Sequence, residues 1–204
     1  DAAVTRLMRE AGAVMLGKTA LGALAWGEVW FGGETRNPWN PAEGSSGSSA
    51  GSAAATAAGL CAFSIGTETW GSIVSPSERC GTAGLRPTFG RVSRAGAMAL
   101  CWSLDKIGPI CRYAEDTALV LAELNGHDPA DAGSLAHGFA YDGNRPLSRL
   151  SVGYDPRMLE ADETTASDRA AFEALKASGV NLVELEFPEL PWDIIYPILE
   201  AESS

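Results

Sequence analysis

The chain lacks the features that mark a membrane protein, a nucleic-acid-binding protein or a zinc protein. It contains no run near the roughly 18 apolar residues of a membrane span, and only 15 Lys and Arg stand against 26 Asp and Glu, a formal charge of −11. This acidity argues against nucleic-acid phosphates or an anionic membrane as the main partner. Only two histidines and no Cys-x-x-Cys pair are present, which argues against a zinc site.

Cysteine is also scarce, and its four positions fall in apolar or mixed surroundings: Cys61, Cys80, Cys101 and Cys111. We interpret them as small buried thiols of a reducing compartment, the cytoplasm, although a disulfide stays open because the number is even. A hydrophobic content of 46% is ordinary for a globular domain of 204 residues.

Helical and extended patterns alternate along the chain. The segment 1–12 places apolar residues at helical spacing and is followed by a predicted buried strand, Ala13–Leu16. A helix is predicted over 113–126, and another over 165–179, which is followed by the strand-like "VNLVELEF". This alternation predicts an α/β layered fold.

One motif is a decoy. "GAVMLGKT", Gly12–Thr19, fits the letter pattern of a phosphate-binding loop. Such a loop follows a strand, turns its backbone N–H groups inward and begins a helix at the lysine. Because the middle residues are predicted to form a strand after a helix, we reject a nucleotide-binding function.

The segment 44–59, "GSSGSSAGSAAATAAG", changes from serine and glycine to alanine. The alanines favour a closely packed helix, which places the serine-glycine part at a helix N-terminus that favours negative charge. A strand predicted over Leu60–Ile65 then runs into a tight turn over Gly66–Ser72. A serine in such a turn is a candidate nucleophile, because neighbouring N–H groups can form an oxyanion hole.

Three runs resemble the amidase signature family: "RNPWNPAEGSSGSSAGSAAATAAGL", "IGTETWGSIVSPSERCGTAGLRPTFGRVSRAGAMAL" and "SLDKIGPICRYAEDTALVLAEL". The resemblance covers roughly residues 1–131. It implies a mixed, twisted β-sheet covered by helices, and hydrolysis or transfer of amides through a Ser, cis-Ser, Lys triad without a cofactor or metal.

Carried over by position, the resemblance makes Ser72 the nucleophile and Ser48 the bridging serine, with a cis bond between Gly47 and Ser48. The separation, 72 − 48 = 24, matches the family spacing. Gly47 and Ser49 are supporting residues. The oxyanion hole is assigned to the backbone N–H groups of Thr69, Trp70, Gly71 and Ser72.

The chain departs from the family pattern in its lysine and in two residues near the nucleophile. Family spacing puts the catalytic lysine upstream of Asp1, so we expect an internal piece that is inactive alone. Trp70 replaces a glycine, and a positive φ there would strain it, whereas another φ would let the indole wall the acyl pocket. Val74 replaces a common arginine, which favours a stand-alone amidase over an amidotransferase component.

Aromatic residues gather before the serine-rich segment at Trp26, Trp30, Phe31 and Trp39. Trp26 and Trp30, with Trp70, are candidates for the substrate pocket, and the alternative is core packing beneath the site. Asp105 and Lys106 are interpreted as a surface pair, with a structural role for Lys106.

We expect one partial amidase domain over 1–204, with a signature core (1–131), a surface connection (132–148) and a strand-helix-strand-helix continuation (149–204). The favoured function is an amidase of small-molecule amides, compatible with a homodimer and without a membrane partner. Two alternatives stay open. The first is the A subunit of a glutaminyl-tRNA amidotransferase, and only in this alternative is nucleic acid expected as a partner. The second is a catalytically inactive amidase-fold binding subunit.

Overall fold

The structure, a computed structural model, describes residues 1–203 and divides the chain into two compact units. The first unit is Asp1–Tyr141 together with the chain from Tyr196 onward, and the second is Asp142–Ile195. Each unit contains both helices and strands, so the predicted α/β class is confirmed. The helices are α1 (Ala3–Glu10), α2 (Ala50–Ala57), α3 (Val74–Cys80), α4 (Ala114–Leu124), α5 (Pro156–Glu160), α6 (Ala166–Ala177) and α7 (Ile195–Ser203).

The strands form small sheets, of which the one that positions the site is antiparallel with the order β5-β7-β6. Strands β5 and β7 pair over six residues, from Phe63 opposite Cys111 to Glu68 opposite Lys106. The strands are β1 (Val29–Trp30), β2 (Gly33–Glu34), β3 (Arg36–Asn37), β4 (Asn40–Gly44), β5 (Phe63–Glu68), β6 (Ala83–Gly84), β7 (Lys106–Cys111), β8 (Ser151–Tyr154) and β9 (Asn181–Glu184).

The core of the first unit lies on both faces of β7. One cluster joins α1 and α4 to the strand, and the other joins α2 and α3 to it. Helix α1 buries Ala3 and Val4, as its sequence pattern predicts. The buried members are Val4, Val92, Ile107, Cys111, Val120, Leu121 and Leu124 in the first cluster, and Ala53, Ile73, Cys80 and Ile110 in the second.

Helix α2 packs against β5 through short polar side chains at helical spacing. Ser52 donates a hydrogen bond to the Ile65 carbonyl at 2.9 Å. One turn later, the Thr56 hydroxyl lies 2.9 Å from the Ser64 hydroxyl. Small residues therefore let this helix approach the strand closely, and its hydroxyls hydrogen-bond the strand itself.

The strand predicted at Ala13–Leu16 is wrong. This segment is irregular, with Val14 81% and Leu16 75% exposed. No described strand pairs with it, so an extended conformation gains no ladder hydrogen bonds there. No helix begins at Lys18 either, and a phosphate-binding loop requires one there. The nucleotide-binding function is therefore rejected on the missing helix, and not on the predicted strand.

The observed strand lies three residues further along the chain than the predicted Leu60–Ile65, because pairing with β7 sets its bounds. The observed strand is Phe63–Glu68, and Gly66 lies within it rather than in a turn. A Cβ at Gly66 would fall 2.9 Å from Ser49 Oγ, so this glycine serves the close approach of the serine-rich segment.

The second unit is built on the parallel pair β8 and β9, with α5 and α6 between them in the chain. Both helices begin at capping residues. The Asp155 side chain accepts a bond from the Arg157 N–H, and Thr165 and Asp168 form a capping box at α6. In the described part of the chain, no helix is long and apolar enough to cross a membrane.

Candidate active site

A turn over 69–73 joins β5 to α3 and carries Ser72. Within it, Gly71 has a φ of +106°, a conformation that favours glycine. Trp70 has no positive φ, so the indole replaces the family's glycine without backbone strain. Ser72 is partly exposed, and its carbonyl accepts a hydrogen bond from the Ser49 N–H at 3.1 Å.

A buried carboxylate supports this turn from below. Glu68 is 1% exposed, and its Oε2 accepts hydrogen bonds from the N–H groups of Ile73 at 2.7 Å and Val74 at 2.9 Å. Its Oε1 accepts a bond from Arg86 at 3.0 Å. Sequence reasoning missed Glu68, although an acidic residue at the end of a strand beside a candidate nucleophile was a usable signal.

Two residues at the start of β7 hold the other side of the turn. The Thr69 hydroxyl donates to Asp105 Oδ1 at 2.5 Å, and Lys106 Nζ donates to the Thr69 carbonyl at 3.2 Å. Burial lowers the pKa of Lys106, and the nearby Arg86 guanidinium lowers it further. The predicted surface pair of Asp105 and Lys106 is wrong, because both residues are partly buried and each binds Thr69, and no ion pair joins them among the described residues.

The serine-rich segment adopts an unusual backbone conformation just before α2. The Gly47–Ser48 peptide bond is cis, as the resemblance implies, and Ser46 has a φ of +59°. A Cβ at Gly47 would lie 1.8 Å from the Gly27 carbonyl oxygen, so only glycine fits there. The Ser46 hydroxyl lies 2.7 Å from the Ser75 hydroxyl, which links the segment to α3.

Ser49 connects the two serine motifs. Its N–H donates to the Ser72 carbonyl, and its hydroxyl both donates to the Thr67 carbonyl and accepts from the Thr67 N–H, each at 3.0 Å. Beside it, Ser48 is 1% exposed, and its Oγ has no hydrogen-bond partner among the described residues. A buried hydroxyl without a partner is costly, and among the described residues the hydroxyls of Thr35 and Ser77 share this condition.

The aromatic candidates do not meet in the structure. Trp70 stacks on Tyr196 of α7, with ring centroids 4.8 Å apart and planes 27° apart. Trp30 packs edge-to-face with Phe31, whereas Trp26 is 84% exposed. Since Phe31 is 100% exposed and Trp39 73% exposed, core packing does not explain this group.

Ser72 is the candidate nucleophile, and the described residues show no base hydrogen-bonded to Ser48. Neither a hydrogen bond to Ser48 Oγ nor any group of three His, Cys, Asp or Glu residues arranged for a metal ion is present among them. A serine at its ordinary pKa is a weak nucleophile and needs an adjacent base.

A buried serine on a cis peptide is thus joined through its neighbour to a second serine on a glycine-containing turn. The sequence model of the Amidase family matches residues 1–204, so the chain belongs to the amidase family.

Two relatives of one kind are similar over the whole chain. The A subunit of a glutamyl-tRNA(Gln) amidotransferase from Synechococcus sp. is 42% identical over all of this chain and 44% of its own length. The crystal structure of the corresponding Thermotoga maritima protein has a TM-score of 0.90 and 34% identity, over all of this chain and 47% of its own.

A second kind of enzyme is also similar. The native peptide amidase from Stenotrophomonas maltophilia has a TM-score of 0.80 and 37% identity, over 92% of this chain and 42% of its own. The chain therefore spans less than half the length of each of these three proteins.

Proposed function

We propose that the complete protein is an amidase that hydrolyses small-molecule amides through an acyl-enzyme on Ser72. The observation that carries this proposal is the buried Ser48 hydroxyl, which has no partner in the described chain and belongs to the segment that Ser49 joins to Ser72. A buried lysine, supplied by chain outside residues 1–204, would complete the triad. The four free thiols, three of them buried, fit a reducing compartment such as the cytoplasm.

In this mechanism, the neutral lysine amine accepts the proton of Ser48, and Ser48 accepts the proton of Ser72. Ser72 Oγ forms a bond to the amide carbon, and the carbonyl oxygen becomes an oxyanion. The N–H groups of Thr69, Trp70, Gly71 and Ser72 are assigned to stabilise that charge. The C–N bond then breaks, the proton passes to the leaving nitrogen, and water hydrolyses the acyl-enzyme on Ser72.

The labelling of Ser72 tests this proposal in the complete protein. Incubation with an activated sulfonyl fluoride followed by peptide mapping should place the adduct on Ser72. The variant Ser72→Ala should lose the label, and Ser48→Ala should strongly slow both labelling and amide hydrolysis. Ser167→Ala, at an exposed serine of α6, is a matched control that should keep both. Labelling that persists in Ser72→Ala contradicts the nucleophile assignment.

The relatives favour a second candidate function, the A subunit of an amidotransferase. The Synechococcus relative at 42% identity and the Thermotoga maritima structure at a TM-score of 0.90 both belong to a glutamyl-tRNA(Gln) amidotransferase. This candidate shares the Ser72 chemistry and differs in needing partner subunits and that tRNA. Hydrolysis of simple amides by the isolated complete protein favours the amidase, and activity that appears only with such partners favours the amidotransferase. If Ser72 is not labelled and no amide is hydrolysed under either condition, the result favours the catalytically inactive binding subunit.

A further inference from the structure

The turn that carries Ser72 also presents a large aromatic side chain. Because the positive φ belongs to Gly71, Trp70 bears its indole in an ordinary backbone conformation two residues before the nucleophile position. The side chain is 47% exposed among the described residues. A glycine at this position would present no aromatic surface.

The indole is held in place by Tyr196. The two rings are stacked with centroids 4.8 Å apart, and Tyr196, near the start of α7, is itself 59% exposed. Stacked aromatic pairs are stabilised beyond the area that they bury. The pair therefore presents one continuous apolar surface beside the nucleophile turn.

The far end of α7 is also fixed to the region around this turn. The Glu202 carboxylate accepts hydrogen bonds from the Ser103 N–H at 2.8 Å and from the Ser103 hydroxyl at 2.7 Å. Asp105 connects the segment around Ser103 to the turn, because its carboxylate accepts hydrogen bonds from the Cys101 N–H at 3.0 Å and from the Thr69 hydroxyl at 2.5 Å. Since α7 is held at both ends, Tyr196 is positioned against the turn.

We infer that Trp70 and Tyr196 form an aromatic wall of the acyl-binding site, which selects amides with a planar, apolar acyl group such as an aryl amide. This inference rests on the proposed function, because it is the acyl-enzyme on Ser72 that brings the acyl group beside the wall. A planar apolar group gains stacking and desolvation against the two rings. A small polar acyl group, such as that of glutamine, gains neither.

The test compares benzamide with propionamide in the complete protein, because both release ammonia and differ only in the acyl group. The wild type should prefer benzamide in kcat/KM. Trp70→Gly and Tyr196→Ala should each reduce that preference by about tenfold. Tyr196→Phe keeps the ring and should keep the preference, as should Tyr113→Ala, which removes a tyrosine that is 70% exposed at the start of α4.

A second measurement does not depend on turnover. Phenylmethanesulfonyl fluoride should label Ser72 faster than methanesulfonyl fluoride, and the ratio of the two labelling rates should fall in Tyr196→Ala. If the labelling rate falls equally for both reagents, or if the ratio of the two rates is unchanged in both Trp70→Gly and Tyr196→Ala, the inferred aromatic wall is wrong. A wild type that prefers glutamine to benzamide overturns it as well. If neither reagent labels Ser72, the proposed function fails, and the inference fails with it.

Discussion

At the scale of single residues, Glu68 is the group that ties the turn carrying Ser72 to α3. Replacing it with Gln removes the charge that Arg86 and two backbone N–H groups face, at 3.0, 2.7 and 2.9 Å. We expect Glu68→Gln to lower the free energy of unfolding by about 1.5–3 kcal/mol. We also expect a fall in kcat of about tenfold or more, because the turn loses its position.

Urea denaturation and steady-state kinetics measure both effects of Glu68→Gln. The control is Glu78→Gln, which removes an exposed carboxylate from α3 and should leave both quantities unchanged. If the two variants behave alike, the buried carboxylate does not support the turn.

Lys106 gives a prediction about pH. Burial lowers its pKa in the folded chain, so the unfolded chain holds the proton more tightly. The charged folded form therefore carries a free-energy cost at neutral pH, which disappears as the pH rises through the lowered pKa toward the ordinary value of 10.5. The stability of the wild type relative to Lys106→Met should increase over that range.

Urea unfolding of both proteins at a series of pH values checks the prediction for Lys106. The matched control is Lys18→Met, which removes a lysine whose side chain is exposed. A stability difference that stays constant with pH, or decreases, contradicts it.

At the scale of elements, the distance between α2 and β5 depends on Gly66. A methyl group there would meet Ser49 Oγ at 2.9 Å, Ile110 Cδ1 at 3.0 Å and Ile73 Cγ1 at 3.1 Å. We expect Gly66→Ala to cost about 1–3 kcal/mol of stability, and to reduce activity because Ser49 moves. Thermal and urea unfolding measure the cost. Gly17→Ala is the control, since nothing lies within 4 Å of its Cβ position.

The same elements show what the sequence could predict. Helices α1, α4 and α6 follow from apolar residues at helical spacing and from glycines after their ends, which are local signals. Strand positions were less certain, because a strand is fixed by its partner. The register with β7 sets the bounds of β5, and the absence of a partner among the described strands leaves Ala13–Leu16 irregular.

At the scale of the whole molecule, the resemblance located the two serine motifs and the cis bond, because they are contiguous stretches of sequence. The contacts around them join residues far apart in the chain: Glu68 with Arg86, Thr69 with Asp105, and Trp70 with Tyr196. Such pairs depend on how strands and helices are brought together. One sequence without related sequences carries no signal for them, which is why Lys106 and Asp105 were misplaced on the surface.

The four thiols report on the packing of the first unit as a whole. Cys80, Cys101 and Cys111 are buried, and burial raises the pKa of each thiol, to about 12 for Cys111, whereas Cys61 is partly exposed. Because the thiolate is the reactive form, an alkylating reagent at neutral pH should modify Cys61 first and the other three only as the protein unfolds. Mass spectrometry of peptides from native and urea-treated protein measures the order. Cys61→Ser should remove the fast reaction of this chain, and rapid modification of Cys111 in the native protein would show that the packing around β7 is looser than its buried side chains indicate.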